Sequence, residues 1–459
     1  MFDGASKHCY HPRDMADRLS RALRGAWHEA GRVLRWLTPG LGIKRWILLI
    51  LFGTFMLGIG GAMLVLDVYR TAPDTWWLPI FDWLSLRFLD RTLRAAIFGG
   101  LGIAGLIYGV LKMNRNLLAP YLQPGRRVVD TLADHRKRGR GPRIVVIGGG
   151  HGMATLLRGL KAHTYNLTAI VTVADDGGSS GRLRSKLGVL PPGDIRNCLA
   201  ALSNDETLIT QLFQYRFSSG ENGMDGHSFG NLFISALSEI TGSFEEAVAE
   251  SGRVLSVHGR VLPATLHDVR LVADLSVPLS SAEVRVHGES QIPAVAGAVR
   301  RIWLEPNSPP AYPDAVNALL NSDLIVIGPG SLYTSILPNL LVPDLAAAIR
   351  NSPALKIFIC NLATQTGETE GYACGDHIRA LESHVGPHFF DIVLSNRQEG
   401  ARLPEGAQWV TTEEELGEQY ALYRADLADP EHPGHHQTTI LAQTLIDLLQ
   451  ERTGPLAKD

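Results

Sequence analysis

Along this chain the apolar positions fall into two regimes. Residues 46–66 form an apolar run of about 21 residues without one charge, roughly 31 Å long as a helix and enough to cross a bilayer. Residues 95–111 form a second run, shorter, glycine-rich and near the lower limit for spanning. Neither run shows a polar face, so the two are expected to form an N-terminal transmembrane helical hairpin. Beyond residue 142 the apolar runs shorten. Stretches rich in β-branched residues, bounded by glycine, asparagine or aspartate, recur at 144–147, 169–173, 324–327, 357–360 and 392–394. Helix-like segments separate them, at 232–240, at 343–350, and after Ser243-Phe244-Glu245-Glu246, which has the spacing of a capping box. Fully apolar strands alternating with helices predict an α/β fold, a mostly parallel sheet with helices on both faces. Residues 254–304, richer in valine and in strand-like pattern, are expected to be an antiparallel insertion.

Charge decides how the hairpin sits. Basic residues crowd before the first run (Arg32, Arg35, Lys44, Arg45) and after the second (Lys112, Arg115, Arg126, Arg127). The intervening loop instead balances Arg70, Arg87, Arg91 and Arg94 against Asp67, Asp74, Asp82 and Asp90. Positive flanks stay inside, so both ends are expected in the cytoplasm, in a multi-pass protein of the inner membrane. Tyr69, Trp76, Trp77 and Trp83, between the runs, suit a lipid–water interface. The expected organisation is a basic N-terminal segment (1–45), the hairpin (46–111), a basic linker (112–142), an α/β domain (143–450) and a tail (451–459). A formal charge of −3 offers no global basicity, so nucleic acid is not an expected partner. Four scattered cysteines without a C-x-x-C pair fit a reducing compartment and no structural zinc. His432, His435 and His436 read as a solvated loop rather than a metal tract.

The chemistry gathers behind the apolar runs. The run at 144–147 leads into Gly148-Gly149-Gly150-His151-Gly152 and then an apolar helix start. Glycines leave no Cβ between backbone and ligand, and a helix amino terminus offers N–H groups and partial positive charge to a phosphate. Met153 stands where a dinucleotide fingerprint has its third glycine, which makes an NAD-binding oxidoreductase the weaker reading. Asp175 and Asp176 end the second run; such carboxylates bind a ribose hydroxyl or hold Mg²⁺ beside a diphosphate. Gly177-Gly178-Ser179-Ser180-Gly181 adds N–H and hydroxyl donors, and Arg182 and Arg184 add charge-assisted contacts to an anion.

In Pro191-Pro192-Gly193-Asp194-Ile195-Arg196-Asn197 a rigid loop opens a helix. Asp194 either favours the helix dipole or serves as a third metal ligand or general base, and both readings stand. His227 and Asn231, around Gly230, either aim at a ligand or cap a helix. Gly328-Pro329-Gly330-Ser331-Leu332-Tyr333 is a second candidate anion nest, and Asn361 ends the next strand on the same predicted edge. The expected ligand-binding set is therefore Gly149, Gly150, His151, Gly152, Asp175, Asp176, Gly177, Gly178, Ser179, Ser180, Arg182, Asp194, Asn197, His227, Asn231, Gly328, Gly330, Ser331, Tyr333 and Asn361. Asp175, Asp176 and Asp194 are the expected metal ligands, and Asp194 is the candidate catalytic residue.

Taken in this order, the motifs resemble the gluconeogenesis-factor family, relatives of the 2-phospho-L-lactate transferases of deazaflavin coenzyme synthesis. The resemblance covers about residues 143–397. It rests on DDGGSSGRLR at Asp175, PPGDIRN at Pro191, HSFGN at His227, GPGSLYTS at Gly328 and GETEGY at Gly367. It implies a Rossmann-like domain and a nucleotide diphosphate ligand. In the transferases this is a guanylyl-linked phospholactate with Mg²⁺. In the gluconeogenesis factors it is a UDP-sugar, UDP-N-acetylglucosamine, bound in support of cell-wall synthesis and cell shape. The function the resemblance implies is a membrane-anchored, nucleotide-sugar-binding regulator of cell-wall synthesis, cell shape and carbon metabolism. A homodimer and cell-wall synthesis proteins are its expected partners, and a Mg²⁺-dependent transferase of the phospholactate type is the alternative. The chain departs from the pattern at His151 and Met153, where threonine and leucine are usual, at Thr366 in place of proline, and in its hairpin.

Overall fold

The computed structural model describes residues 138–203, 208–218, 226–277, 283–397 and 402–453, the helix Arg91–Leu118, and scattered positions between 52 and 90. Its contacts divide into two compact units, Met1–Arg136 and Lys137–Asp459. In the first unit the helix Arg91–Leu118 contains the second apolar run and continues through Lys112 and Arg115 into the expected linker. Phe98, Leu101, Ile103 and Ile107 on this helix are exposed. Its apolar stretch, Ala96–Tyr108, falls short of the ~20 residues a bilayer core requires, and among the described residues no single helix is long and apolar enough to cross a membrane. The first run, 46–66, lies for the most part outside the described residues, as do residues 119–137 of the linker.

In the second unit the strands are, in chain order, β1 (Ile144–Gly148), β2 (Leu167–Val171), β3 (Arg260–Pro263), β4 (Arg270–Ser276), β5 (Glu283–His287), β6 (Ala298–Glu305), β7 (Leu324–Ile327), β8 (Leu355–Ile359), β9 (Ile392–Asn396) and β10 (Ala421–Ala425). One sheet runs β10-β9-β8-β7-β1-β2-β3, with every neighbouring pair parallel. In register, Val146 of β1 lies between Ala169 of β2 and Val326 of β7. Every residue of β1, β2 and β7 is buried, which is why all but Thr168 of β2 are apolar or glycine. The strand order reverses between β1 and β7, the switch point of a Rossmann-like, doubly wound sheet.

Helix α1 (Gly150–Leu160) follows β1. Helices α2 (Gly178–Leu187), α3 (Gly193–Leu202), α4 (Phe229–Thr241) and α5 (Phe244–Val254), with a short helix at Leu208–Gln214, lie in the crossover from β2 to β3. Ser243 caps α5 by accepting the Glu246 N–H at 3.1 Å, as the capping-box spacing predicts.

Strands β4 to β6 leave the parallel sheet and pair with one another, antiparallel, in the order β5-β4-β6. The insertion is of the expected kind but begins later than residue 254, which ends α5; β3 then belongs to the parallel sheet. Neither β3 nor β10 is marked by an apolar run, because each is a short edge strand with exposed positions. The histidine cluster also needs correcting. His432 and His435 are exposed, but His436 is buried and donates to the Cys360 carbonyl, and burial pushes its pKa down to about 4.

Candidate functional site

The loops at the carboxyl ends of β1, β2, β7 and β8 close on one another. After β1 the chain enters α1 at once, with Gly150 at φ +68°. A Cβ on Gly149 would stand 2.5 Å from Asp194 Oδ2, and one on Gly193 would stand 2.4 Å from Ser180 Oγ and 3.2 Å from Asp175 Oδ2. Glycine at these two positions is what lets the three loops meet. Asp194 accepts the Gly150 N–H, so its carboxylate already takes one of the groups expected to face a phosphate. Gly152 lies against the Pro329 carbonyl, its Cβ position 3.0 Å away, which joins the loops after β1 and β7. Ser331 Oγ accepts from Gln365 Nε2 at 2.9 Å, which joins those after β7 and β8.

Carboxyl groups gather here. Asp175 Oδ1 accepts the Gly177 N–H at 2.8 Å; burial raises the pKa of Asp175 against that bond and one from the Ser180 hydroxyl. Burial, then the charge of Asp175, push Asp194 up to about 6. Asp176 reaches the insertion: it accepts the Ser290 N–H at 2.9 Å, on a single 3₁₀ turn (Glu289–Gln291). That turn delivers Glu289, raised to about 8 by burial and then by Asp175, Asp194 and Glu368, so it is mostly protonated at neutral pH. Glu368 is itself buried, accepting from Tyr333 N at 3.3 Å and Thr334 Oγ1 at 2.9 Å. Neither glutamate belongs to the expected set. Glu368 stands within the GETEGY segment, but Glu289 sits among strand-like residues, and only the folding-back of the insertion brings it to these loops.

A second group is polar. Ser179 Oγ lies 3.0 Å from His227 Nδ1 and accepts from Asn231 Nδ2 at 3.1 Å. A hydroxyl carries one donor and two lone pairs, so the Ser179–His227 bond forms with either partner donating, according to the ring tautomer. Burial, then Arg182 and Lys186, lower the His227 pKa and favour the neutral ring. Ser228 caps α4 by accepting the Asn231 N–H at 3.3 Å, so this segment both caps a helix and faces the serine loop.

Other expected residues fall differently. Tyr333 is buried, its hydroxyl 2.8 Å from that of Tyr372, and burial raises its pKa. Arg184 is held by Asp268 at 2.7 Å and by the carbonyl of Asp175 at 3.4 Å, away from any anion role. His151 and Arg182 are exposed, Asn197 is buried, and Asn361 is half-buried just beyond β8. Gly178 opens α2, and Gly328 and Gly330 flank Pro329 beyond β7.

Among the described residues no three of His, Cys, Asp and Glu are grouped to hold a metal. Asp175, Asp176 and Asp194 each accept one backbone N–H and each keep further lone pairs. That donor set fits Mg²⁺, which uses one or two carboxylates when substrate phosphates and water complete its shell. A cavity of about 500 Å³ lined by Arg143, Tyr165, Asn166 and Arg260 lies at the opposite, amino-terminal edge of the strands, away from these loops.

Loops from four parallel strands, meeting at a switch point around buried carboxyls, define a doubly wound α/β protein, a class that takes its ligands at the carboxyl edge of the sheet. Residues 144–429 match the family described as 2-phospho-L-lactate transferase CofD, and the chain belongs to this family. It is similar to the gluconeogenesis factor of Bacillus subtilis, 44% identical over 331 residues that cover 68% of this chain and 100% of the relative. A Nostoc sp. protein, provisionally named a gluconeogenesis factor, is 50% identical over 378 residues, 81% of this chain and 80% of its own. The crystal structure of a Bacillus halodurans protein superposes with a TM-score of 0.62 at 40% identity, covering 67% of this chain and 100% of that one.

Proposed function

We propose that this protein binds a nucleotide sugar of the UDP-N-acetylglucosamine class at the β1/β7 crevice and acts as a membrane-anchored regulator of cell-wall synthesis, cell shape and carbon metabolism. The meeting of the loops through Gly149, Gly152 and Gly193 carries the reading, because it gathers the amino ends of α1 and α2 where a diphosphate would approach backbone N–H groups. Likeness to the gluconeogenesis factors supports the regulatory role. A diphosphate beside Asp175 and Asp194 meets like charge, roughly 1 to 4 kcal/mol per pair of charges at 4 Å. Mg²⁺, which Asp175 and Asp194 would hold, would supply the charge that offsets it. Glu289, protonated, brings a hydrogen-bond donor rather than a further charge, which suits a sugar hydroxyl or carbonyl.

The anchor is supported by the apolar run at 46–66 and by the exposed apolar side chains of Arg91–Leu118. The Nostoc likeness supports it too, since it spans a larger share of the chain than the whole second unit. Calorimetric titration of the detergent-solubilised full chain with UDP-N-acetylglucosamine, GDP and NAD, each with and without Mg²⁺, tests the ligand. Selective UDP-sugar binding without turnover is expected; no binding at millimolar ligand overturns it. Extraction of cell membranes at alkaline pH tests the anchor, and recovery of the chain in the supernatant rules it out.

A second reading, transfer of a phosphorylated acyl group to an acceptor hydroxyl, is favoured by Asp194, buried beside Asp175 with a pKa near 6 and suited to a general base. The hydroxyl oxygen would bond to phosphorus, the bond to the bridging oxygen would break, a nucleoside monophosphate would leave, and Asp194 would take the hydroxyl proton. Mg²⁺-dependent release of nucleotide, lost in Asp194→Asn, separates this reading from the first.

A further inference from the structure

Arg196 has no part in the site as described, yet it is the most anomalous charge near it. It stands in the first turn of α3, is 4% exposed, and donates from Nη2 to Asn197 Oδ1 at 2.8 Å. Its Nε and Nη1 are buried without an acceptor, and among the described residues no carboxylate pairs with it. Asp194 and Asp175 attract it only from beyond ion-pair distance. A guanidinium keeps its proton in a protein, and a buried charge without a counter-ion is costly. The fold nonetheless makes room for it, since a Cβ on Gly230, in the first turn of α4, would stand 2.9 Å from both Cγ and Cδ of Arg196.

The surroundings add positive charge. Arg216 Nη1 donates to the Gly226 carbonyl at 3.1 Å, and Arg182 Nη2 lies 3.5 Å from the Cβ position of Gly226. Three guanidinium groups thus collect about residues 226–230, where α4 begins, with Arg182 midway along α2 and Arg196 near the amino end of α3. Next to Gly230, Asn231 spends its amide on Ser179 and leaves Oδ1 buried without a partner.

We propose that Arg196 anchors an oxyanion subsite on the β2–β3 side of the sheet, flanking the β1/β7 crevice, and that it takes a phosphoryl or carboxylate group. The subsite is read from these residues alone; which molecule brings the anion rests on the nucleotide reading. Two sources share the chemistry, the diphosphate of a bound nucleotide and an acid group at the far end of its sugar.

The test titrates the full chain with inorganic phosphate, uridine, UDP, UDP-glucose and UDP-glucuronate, as wild type, Arg196→Lys and Arg196→Met, and follows melting with phosphate. Wild type is expected to bind phosphate and to melt higher in its presence. Arg196→Met should bind phosphate about 10- to 100-fold more weakly and lose the phosphate-dependent rise, with uridine binding unchanged. In phosphate-free buffer it should melt no lower than wild type, whereas a purely structural arginine would lower it. Arg196→Lys should retain part of the phosphate effect.

Phosphate binding equal in wild type and Arg196→Met overturns the proposal, as does a wild type that phosphate neither binds nor stabilises, which also decides the matter should the methionine variant not fold. A loss shared by UDP and both UDP-sugars assigns the subsite to the diphosphate; a loss confined to UDP-glucuronate assigns it to the distal acid. Failure of the nucleotide reading looks different: UDP-sugars do not bind, while the Arg196-dependent phosphate effect persists.

Discussion

The parallel sheet and the antiparallel insertion meet at one site but are built on opposite terms. Strands β1, β2 and β7 bury every residue, whereas β5 buries only Val286 and β6 alternates along its length. Helices on both faces exclude water from the first, so across these three strands it admits one polar residue, Thr168; one face of the second stays wet. That face is held by surface chemistry, Arg285 pairing with Asp274 at 2.9 Å and stacking 4.8 Å from the Trp303 ring centre. Yet the less buried sheet sends Glu289 among the carboxyls and fixes itself there through the Asp176–Ser290 bond. The rigid layer sets where the loops stand, and the appended layer sets what chemistry closes over them.

That contrast breaks most visibly under truncation. Ile147→Ala, in β1 at 1% exposure, should cost about 2 to 5 kcal/mol in urea unfolding. Val284→Ala, on β5 at 40% exposure, should stay within about 0.5 kcal/mol. Equal costs would mean that the insertion is as much core as the sheet it decorates.

The next largest effect should belong to Glu289. Its folded pKa of about 8 lies above the ordinary 4.5, so between these values the folded state holds a proton that the unfolded chain has lost. Stability therefore falls as pH rises from 4.5 to 8, and the penalty is complete above 8. Glu289→Gln should gain about 2 to 3 kcal/mol at pH 8.5 and almost nothing at pH 4. A variant equally stable to wild type at both pH values would mean that water reaches the carboxyl. Asp176→Ala, which cuts the tie to Ser290, should cost about 1 to 2 kcal/mol. It should also open residues 270–305 to protease before the parallel sheet unfolds.

The sequence reveals the two layers unequally for the same physical reason. The run at 324–327 coincides with β7 and that at 144–147 misses β1 by one residue, because double-sided burial writes itself as unbroken apolar sequence. The run at 169–173 overshoots β2, since Val173 and Ala174 remain buried after the ladder ends at Val171. Loops on the strand ends are legible from their glycines. What is not legible is any contact that depends on the insertion folding back: nothing near Asp176 announces its bond to Ser290, and Glu289 has no local signal. Arg196 is visible in its motif, but not its burial, which depends on Gly230, 34 residues away (230 − 196).

Asp194 offers the finest test of the contrast, because it belongs to the parallel framework yet carries a perturbed carboxyl. Its folded pKa of about 6 exceeds the ordinary 3.8, so stability is lost as pH rises from about 4 to 6 and the penalty is complete above that. Asp194→Asn removes the penalty, but the Gly150 N–H then donates to an amide instead of a carboxylate, a weaker bond that offsets part of the gain. In metal-free buffer the variant should therefore gain only about 1 kcal/mol at pH 7 and nothing at pH 4. A gain confined to high pH marks Asp194 as a group kept for its chemistry at the expense of the fold. If the variant instead loses stability at pH 7, the carboxylate is first of all the cap of α1, and the framework spends its acids on holding its own loops.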